Sequence, residues 1–484
     1  MKKIENHKEN SEYKKYQSGR VSHWDDVAEK YGNRKSFSGY YHKRLEHVFQ
    51  FVVPPGQRVI EIGCGNGDLL ASLKPAYGVG VDFSAEMIKQ AKDLHSDLHF
   101  IQADVHELDL KDKFDFVILS DVVNEFWDVQ SVFQKILTFT SARSRIVINF
   151  YNRLWELPLA VVRKLGIARP SLYQNWLTVE DVTSLLSLVD CEVIRQWEEI
   201  VWPVHTPFID FLANRFIAKI WPFRWLDLTH IIVAKPYSSN AALPAVPKVS
   251  VIIPARNESG NIRKIFAEVP EMGGGTELIF IEGGSTDDTF AVIKEAMTDN
   301  PHRSAKLLWQ AGKGKGDAVR LGFQHAQGDI LMILDADLTV PPEDLPRFYN
   351  ALYKGRAEFI NGVRLVYPME KEAMRFLNLL GNKFFSLVFS WLLGQPIKDT
   401  LCGTKALWKT DYERIAANRS YFGDFDPFGD FDLLFGAAKL NLKIIEVPIR
   451  YRERTYGTTN ISRWKHGWLL LRMVFFALRR IKFV

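Results

Sequence analysis

The stretch ILMILDAD, Ile330 to Asp337, is an apolar run that ends in two carboxylates one residue apart. The run reads as a buried strand, and two acids at its mouth can hold a hard cation. Alternation along a strand sends neighbouring side chains to opposite faces, so Asp335 and Asp337 are expected to point the same way. Mg²⁺ or Mn²⁺ bound through one or two carboxylates keeps positions open for substrate phosphates, the layout of an enzyme that uses a nucleotide diphosphate. Two solvated acids in a turn would look the same locally, so the rest of the chain decides.

A chain of 484 residues exceeds one ordinary core, and at roughly 100 to 200 residues per domain it holds two to four. Apolar residues at 47% and charged residues at 25% are ordinary for globular proteins, but 33 Phe and 13 Trp make a surplus of aromatics that suits membrane interfaces as well as cores. Cys64, Cys191 and Cys402 lie far apart. They form neither a C-x-x-C pair nor a disulfide framework, which points to a reducing cytoplasm and away from structural zinc. The first twenty residues are polar and charged, unlike a secretory signal. No stretch reaches about 18 uninterrupted apolar residues, so no spanning helix is expected; Phe376 to Leu393 and Trp468 to Leu478 come nearest. The net charge of +5 is uneven, because Arg450 to Lys482 is basic with Glu453 its one acid. That end favours an anionic surface.

The segment KPYSSNAALPAVPK, running from Lys235 to Lys248, has no periodicity and reads as a linker. On both sides strands alternate with helical patterns, the mark of α/β folds built on parallel sheets. The expected organisation is therefore an α/β domain at 1–235, a linker at 236–247 and a second α/β domain at 248–484. Both sites belong at the carboxyl ends of strands.

In the first domain a strand at Arg58 to Ile62 carries Glu61 and runs into Gly63, Cys64, Gly65, Asn66 and Gly67 before a helix near Asp68. Glycines there let a ligand approach the backbone closely. The next strand, Gly78 to Val81, ends in Asp82, about 20 residues on, where a carboxylate can accept hydrogen bonds from a ribose. His99 to Gln102 leads to Asp104, and Phe114 to Leu119 to Ser120 and Asp121. A dinucleotide site is the first competitor of such a loop.

EIGCGNG, VDFSAEM, QADVHEL and FDFVILSDVVNEF together resemble the class I S-adenosylmethionine-dependent methyltransferases, over roughly residues 20 to 235. The resemblance implies a Rossmann-like fold. It places Glu61, Gly63 and Gly65 at the methionine and ribose of S-adenosyl-L-methionine, Asp82 at the ribose hydroxyls and Asp104 at the adenine amine. Methyl transfer needs positioning and, for a hydroxyl acceptor, a base. Asp121, Glu125 and His23 are the candidates. Trp24, Tyr31, Tyr40 and Tyr41 lie in a segment that often covers the substrate in this family. The apolar segment Trp202 to Leu228 reads as a lid or an interdomain contact.

In the second domain a strand at Val249 to Pro254 leads into Ala255, Arg256, Asn257 and Glu258, and one at Glu277 to Ile281 into EGGSTDD, Glu282 to Asp288. GKGKGDAVRLGFQHAQGD and the Asp335 strand follow. In this order, with NGVRLV, KDTLCGTKALWK, FGDFDLLFGAA and IIEVPIRYRERTYGTTNISRW, they resemble glycosyltransferase family 2 with its Rossmann-like GT-A fold, in the branch of dolichyl- and polyprenyl-phosphate sugar synthases. The resemblance implies that Pro254, Arg256, Glu258, Glu282 and Asp287 hold the nucleoside, with Lys315 near the nucleotide and Asp335 and Asp337 on metal and diphosphate. Arg364 and Arg375 would hold an acceptor phosphate, a task suited to guanidinium. Asp430 and Asp432 are the matching carboxylates for base duty. The family usually carries two acids where this chain has Glu282 and Gly283, which leaves the nucleotide open.

The combined expectation is a bifunctional enzyme in glycan biosynthesis, held peripherally at the inner face of the membrane in the cytoplasm. Its donors would be a nucleotide sugar and S-adenosyl-L-methionine, its metal Mg²⁺ or Mn²⁺, and its acceptor a polyprenyl phosphate or lipid-linked glycan. Polysaccharide elongation with sugar O-methylation is the enzyme alternative, and a silent methyltransferase-like scaffold the non-enzymatic one. Nucleic acid is not an expected partner, because the basic residues gather far from the methyl donor loop.

Overall fold

The computed structural model describes residues 2–31, 39–165, 171–237, 246–364, 376–422, 429–452, 454, 456 and 463–484. The chain divides into two compact units, Met1–Tyr237 with Phe483–Val484, and Ser238–Lys482. Each is built on a seven-stranded sheet.

The first sheet contains β1 (Arg58–Ile62), β2 (Tyr77–Asp82), β3 (His99–Gln102), β4 (Phe116–Ser120), β5 (Arg145–Tyr151), β6 (Cys191–Glu199) and β7 (Thr229–Pro236). Their order is β3-β2-β1-β4-β5-β7-β6. Six strands run in one direction, and β7 alone is reversed, pairing antiparallel with both β5 and β6. The sheet is thus mixed rather than wholly parallel, because β6 and β7 are joined by the 202–228 segment instead of a crossover helix that would return the chain in the same direction. The fourth strand also starts two residues later than its apolar pattern suggested, since Phe114 packs from the preceding loop. Alternation sorts the core: Ile60, Val117, Ile146 and Ile148 face one layer, and Val59, Ile118 and Val147 the other. A long N-terminal helix, α1 (Lys2–Tyr31), precedes the sheet.

The second sheet contains β8 (Val249–Ala255), β9 (Thr276–Glu282), β10 (Ser304–Trp309), β11 (Ile330–Ile333), β12 (Phe359–Val363), β13 (Lys405–Trp408) and β14 (Ile444–Pro448), in the order β10-β9-β8-β11-β13-β12-β14. β13 runs antiparallel between β11 and β12, so this sheet is mixed too. Val249, Val251, Ile253, Ile330, Met332 and Phe280 build one core layer, and Phe266 stacks on Phe280 at 5.1 Å. In both sheets the strand order reverses beside the first strand, at β1/β4 and β8/β11. Ligands of open α/β sheets bind at the crevice that such a reversal opens.

Candidate active sites

At the carboxyl end of β1 the chain turns through Gly63 (φ 72°) and Gly65 (φ 53°), conformations that favour glycine. A Cβ on Gly63 would stand 2.5 Å from Val122 Cγ2, while in front of Gly65 the space is open for 4 Å. The Gly65 amide donates to Asp82 Oδ2 at 3.0 Å and the Ser84 amide to Oδ1 at 2.9 Å. Burial raises the Asp82 pKa, against the pull of these amides. Glu61 is buried, its Oε2 has no protein partner, and burial pushes its pKa well up. Buried acceptors are normally satisfied, so this one favours an incoming donor.

Asp104 is answered on every side. Its Oδ1 accepts from the His106 amide at 2.9 Å and lies 2.7 Å from His106 Nδ1; its Oδ2 accepts from Tyr13 Oη and Gln17 Nε2, both at 2.8 Å. Burial raises its pKa, but the bonds from His106 and Tyr13 outweigh burial and hold it below the usual value. Gly63, Asp82, Asp104 and Val122 share a cleft with Tyr13, Tyr16, Gln17 and Arg20 of α1.

Next to Val122 stands Asp121, in the left-handed region at φ 54°. Its Oδ1 accepts from Tyr41 Oη at 2.9 Å and from Asn149 Nδ2 at 2.6 Å. Burial lifts its pKa to about 7 even though both bonds favour the anion. Glu125 lines the same cleft, paired with Arg20 and accepting from Gln174 Nε2 at 2.7 Å. His23 packs edge-on to Trp24, with its Nε2 buried and unpartnered.

In the second unit the strand stops at Ile333, and the acids follow in a turn closed by the Leu338 amide on the Asp335 carbonyl. Strand alternation therefore does not orient them. Asp335 pairs with Lys315 Nζ at 2.6 Å, and Asp337 Oδ2 accepts from Arg454 Nη2 at 2.6 Å. Burial raises the Asp335 pKa, but Lys315, with Lys405 and Arg364, reverses this and holds it below the ordinary value. Burial works against the charged Lys315 in turn, and Asp335 and Asp430 overcome it. Gly403 lies against the pair: a Cβ there would stand 2.0 Å from Lys315 Nζ and 2.2 Å from Asp335 Oδ2.

Glu258 is buried, accepts from Asn261 Nδ2 at 2.8 Å and lies 3.6 Å from Arg454 Nη1. Burial raises its pKa to about 7 despite Arg454 and Asn261. Glu282 accepts from the amides of Gly284 at 3.1 Å and Ser285 at 2.6 Å, and Asp287 from Thr289 and from the Ser259 amide at 3.3 Å. Asp430 pairs with buried Lys405 at 3.0 Å, and Asp432 with Arg419 at 2.9 Å. Arg364 grips Asp399 through two parallel bonds, Nε to Oδ2 at 2.7 Å and Nη2 to Oδ1 at 2.8 Å.

Residues 250–411 match the family described as glycosyl transferase family 2, and residues 54–190 match a methyltransferase domain. The chain joins a methyltransferase domain to a family 2 glycosyltransferase domain. The glycosyltransferase domain is 28% identical over 230 residues to glycosyltransferase AglJ of Haloferax volcanii, covering 47% of this chain and 71% of that one. It is 36% identical to an undecaprenyl-phosphate 4-deoxy-4-formamido-L-arabinose transferase of Klebsiella pneumoniae, over 45% of this chain and 64% of the relative. It is 30% identical to the dolichol-phosphate mannosyltransferase of Pyrococcus furiosus, over 44% and 59%. The chain thus spans between 59% and 71% of the length of these three relatives. Among solved structures, Synechocystis magnesium protoporphyrin IX methyltransferase with bound SAH aligns at 18% identity and TM-score 0.32, over 46% of this chain and 95% of the other. Mycobacterium tuberculosis glucosyl-3-phosphoglycerate synthase aligns at 20% and 0.37, over 51% and 82%.

In the methyltransferase domain the structure brings Gly63, Asp82 and Asp104 to one cleft, with Glu61 and Gly65 in the strand and turn beside it. It adds Tyr13, Gln17 and Arg20, which sequence reasoning missed. Their spacing with Tyr16 at i, i+3, i+4 and i+7 was a usable signal of one helix face, but a stripe of Tyr, Gln and Arg does not read as core. In the glycosyltransferase domain Lys315 and Asp335 meet, and Glu258 and Asp337 are joined through Arg454. Glu282 and Asp287 hold their own loop, Pro254 is half-buried and Arg256 exposed. Arg375 lies outside the described residues. Arg454, Lys405 and Gly403 were missed as site residues although their motifs were noted.

Among the described residues no group of three or more His, Cys, Asp and Glu is placed to hold a metal ion. Two carboxylates remain, each answered by a cation, so the locus accepts positive charge, and oxygen donors suit a hard ion. Where the usual second acid is replaced by Gly283, a Cβ would stand 3.1 Å from Gln310 Oε1.

Proposed function

We propose that this chain transfers a sugar, with inversion, from a nucleotide sugar to a polyprenyl phosphate or lipid-linked acceptor, and methylates a component of the same glycan pathway from S-adenosylmethionine. The observation that carries the reading is the charge cluster beyond β11, where Asp335 and Lys315 lie beside Lys405, Asp430 and the Arg364–Asp399 pair. Such a cluster suits a reaction whose leaving group is a diphosphate. Asp335 and Asp337 would hold Mg²⁺ or Mn²⁺, which when bound supplies Lewis-acid neutralisation of the leaving group. Lys315 and Arg454 already sit against those carboxylates and can turn to phosphate oxygens. Glu258, Asp287, Pro254 and Arg256 surround the nucleoside, and Asp430 or Asp432 serves as base where the acceptor is a hydroxyl. Arg364 keeps an N–H edge for an acceptor phosphate while Asp399 fixes its fork. The names of the Klebsiella and Pyrococcus relatives, which specify undecaprenyl and dolichol phosphates, support a lipid phosphate acceptor.

In the methyltransferase domain Gly63 and Gly65 would admit the cofactor, Glu61 and Asp82 would accept its donors, and Asp121 would take the acceptor proton. No helix among the described residues is long and apolar enough to cross a membrane. Peripheral attachment at the cytoplasmic leaflet is supported in the glycosyltransferase domain by exposed Phe384 and Leu387 on the helix Phe376–Leu393, and by Trp468 and Phe475 beside Arg472 and Arg479.

Incubation with radiolabelled nucleotide sugar and polyprenyl phosphate, followed by organic extraction, tests this. Label is expected in the organic phase; label confined to water-soluble glycan overturns the lipid acceptor in favour of polysaccharide elongation. The full occupancy of Asp104 by the chain's own donors favours a second reading, a closed methyltransferase-like scaffold. Calorimetry with S-adenosylmethionine separates the two, since absence of heat selects the scaffold.

A further inference from the structure

The methyltransferase domain carries an apolar face that its cleft does not use. Two segments build it, the turn and helix at 153–165 and the β6–β7 insertion at 202–228. They are stitched together by Asn152 Nδ2, which donates to the carbonyls of Trp225 at 3.1 Å and Asp227 at 3.0 Å, and by Trp155 Nε1, which donates to the Leu226 carbonyl at 2.9 Å. On this surface Leu157 is 77% exposed, Trp221 66%, Trp225 54% and Phe208 83%. Single exposed apolar residues are ordinary, but Trp221 and Trp225 stand edge-on with ring centroids 6.1 Å apart, and grouped exposed aromatics mark an interaction surface.

Charge on the two segments is one-sided. Asp210 and Asp227 are buried, and Glu156 is half-buried. Arg153 and Lys164 are exposed, and Arg215 and Arg224 are half-buried. The Arg215 guanidinium lies over the Phe211 ring, 5.3 Å from its centroid, a cation–π contact that holds positive charge against the aromatic surface.

We infer that this face inserts into the surface of an anionic lipid bilayer, giving the methyltransferase domain a membrane contact of its own. Two of the four indole donors on these segments are already satisfied. Trp155 Nε1 is satisfied by Leu226, and Trp202 Nε1 donates to Thr206 Oγ1 at 3.1 Å, so those rings can leave water without stranding an N–H. Tryptophan and arginine over short helical turns match the headgroup boundary, where the aromatic body meets acyl chain and the cation meets phosphate. The exposed charges of these segments, Arg153 and Lys164, are basic, and with Arg215 and Arg224 they outnumber Glu156, which complements anionic headgroups. The inference does not depend on which acceptor the glycosyltransferase domain uses.

Flotation of the full chain with vesicles of phosphatidylcholine and phosphatidylglycerol (7:3), against phosphatidylcholine alone, tests it. Trp221→Glu with Trp225→Glu is expected to lower partitioning on the order of 100-fold on the mixed vesicles. Leu94→Glu, an exposed apolar position of the same domain outside these two segments, serves as the comparison and is expected to leave flotation unchanged. In parallel, Phe208→Cys carrying an environment-sensitive fluorophore is expected to shift to the blue with mixed vesicles and to be quenched by brominated acyl chains. The native cysteines are buried, so the label is specific. Unchanged flotation of the double variant overturns the inference. So does an unshifted label, which reads the face even if the double variant misfolds. A wild-type dimer that the double variant converts to monomer in sedimentation velocity would assign the face to a second copy instead.

Discussion

Asp121 is the proposed base of the methyl site. It stands where β4 ends, in a left-handed conformation that an aspartate adopts at a cost, and strain of this sort gathers at functional positions. A carboxylate of ordinary pKa, 3.8, would be a feeble base near neutrality, and burial brings Asp121 to about 7. Only the ionised form can accept a proton. Methyl transfer to a hydroxyl is therefore expected to rise with pH through about 7 and then level, and Asp121→Asn to remove that limb with a loss of roughly 10²–10⁴ in kcat. Rates measured from pH 5 to 9 on both proteins check this; a wild-type profile flat across 7 rules out Asp121 as the base. The stability sign is opposite. A raised carboxyl pKa favours the protonated fold, so this contribution is present below about 4 and is lost as pH rises through about 7.

Asp121, Asp82, Gly63 and Asp335 were legible as candidates because glycine turns and acids at strand ends are local features. Arg454 was not, since its site role depends on Asp337, 117 positions earlier. Gly403 was opaque for a different reason: its meaning is a missing Cβ beside Lys315 and Asp335, which only packing reveals.

The helix α1 shows the same limit for a whole element. Its composition is so polar that no core face shows in it, and the resemblance begins only near residue 20. Yet Tyr13 and Gln17 reach Asp104, and Arg20 reaches Glu125. The two attachments differ in kind. Arg20 and Glu125 are a buried ion pair, so Arg20→Met leaves a buried charge unpaired and is expected to cost about 3–5 kcal/mol, with weaker S-adenosylmethionine binding as the wall of the cleft loosens. Tyr13→Phe keeps the ring and removes one donor from a carboxylate whose positions are all taken. It is expected to cost about 1 kcal/mol or less in stability and to tighten the cofactor severalfold, because the adenine amine no longer competes for Oδ2. Denaturant melts and calorimetry on both variants read this, and equal weakening by Tyr13→Phe would mean that the hydroxyl serves the cofactor rather than obstructing it. The strands were easier to read than α1, since continuous apolar runs such as Ile330 to Ile333 announce burial on both faces. The direction of β7 and β13 was not, because antiparallel return is set by what the connecting segments become.

The chain divides between Tyr237 and Ser238, within the Pro- and Ser-bearing stretch that interrupts the periodic pattern. Each unit closes its own core: Ile60, Val117 and Phe133 pack in the first, and Val251, Phe280 and Met332 in the second. Separate cores imply separate integrity, so damage to one site should not pass to the other through packing. Asp335→Asn leaves Lys315 without its anionic partner and is expected to lower sugar transfer on the order of 100-fold or more, with S-adenosylmethionine affinity within twofold of wild type. Asp82→Ala is expected to do the converse, abolishing cofactor binding while sugar transfer from nucleotide sugar to polyprenyl phosphate continues. Measuring both quantities on both proteins gives four numbers. If either substitution lowers both, the two reactions share an intermediate or a conformational step, and the picture of two independently folded catalysts on one chain fails.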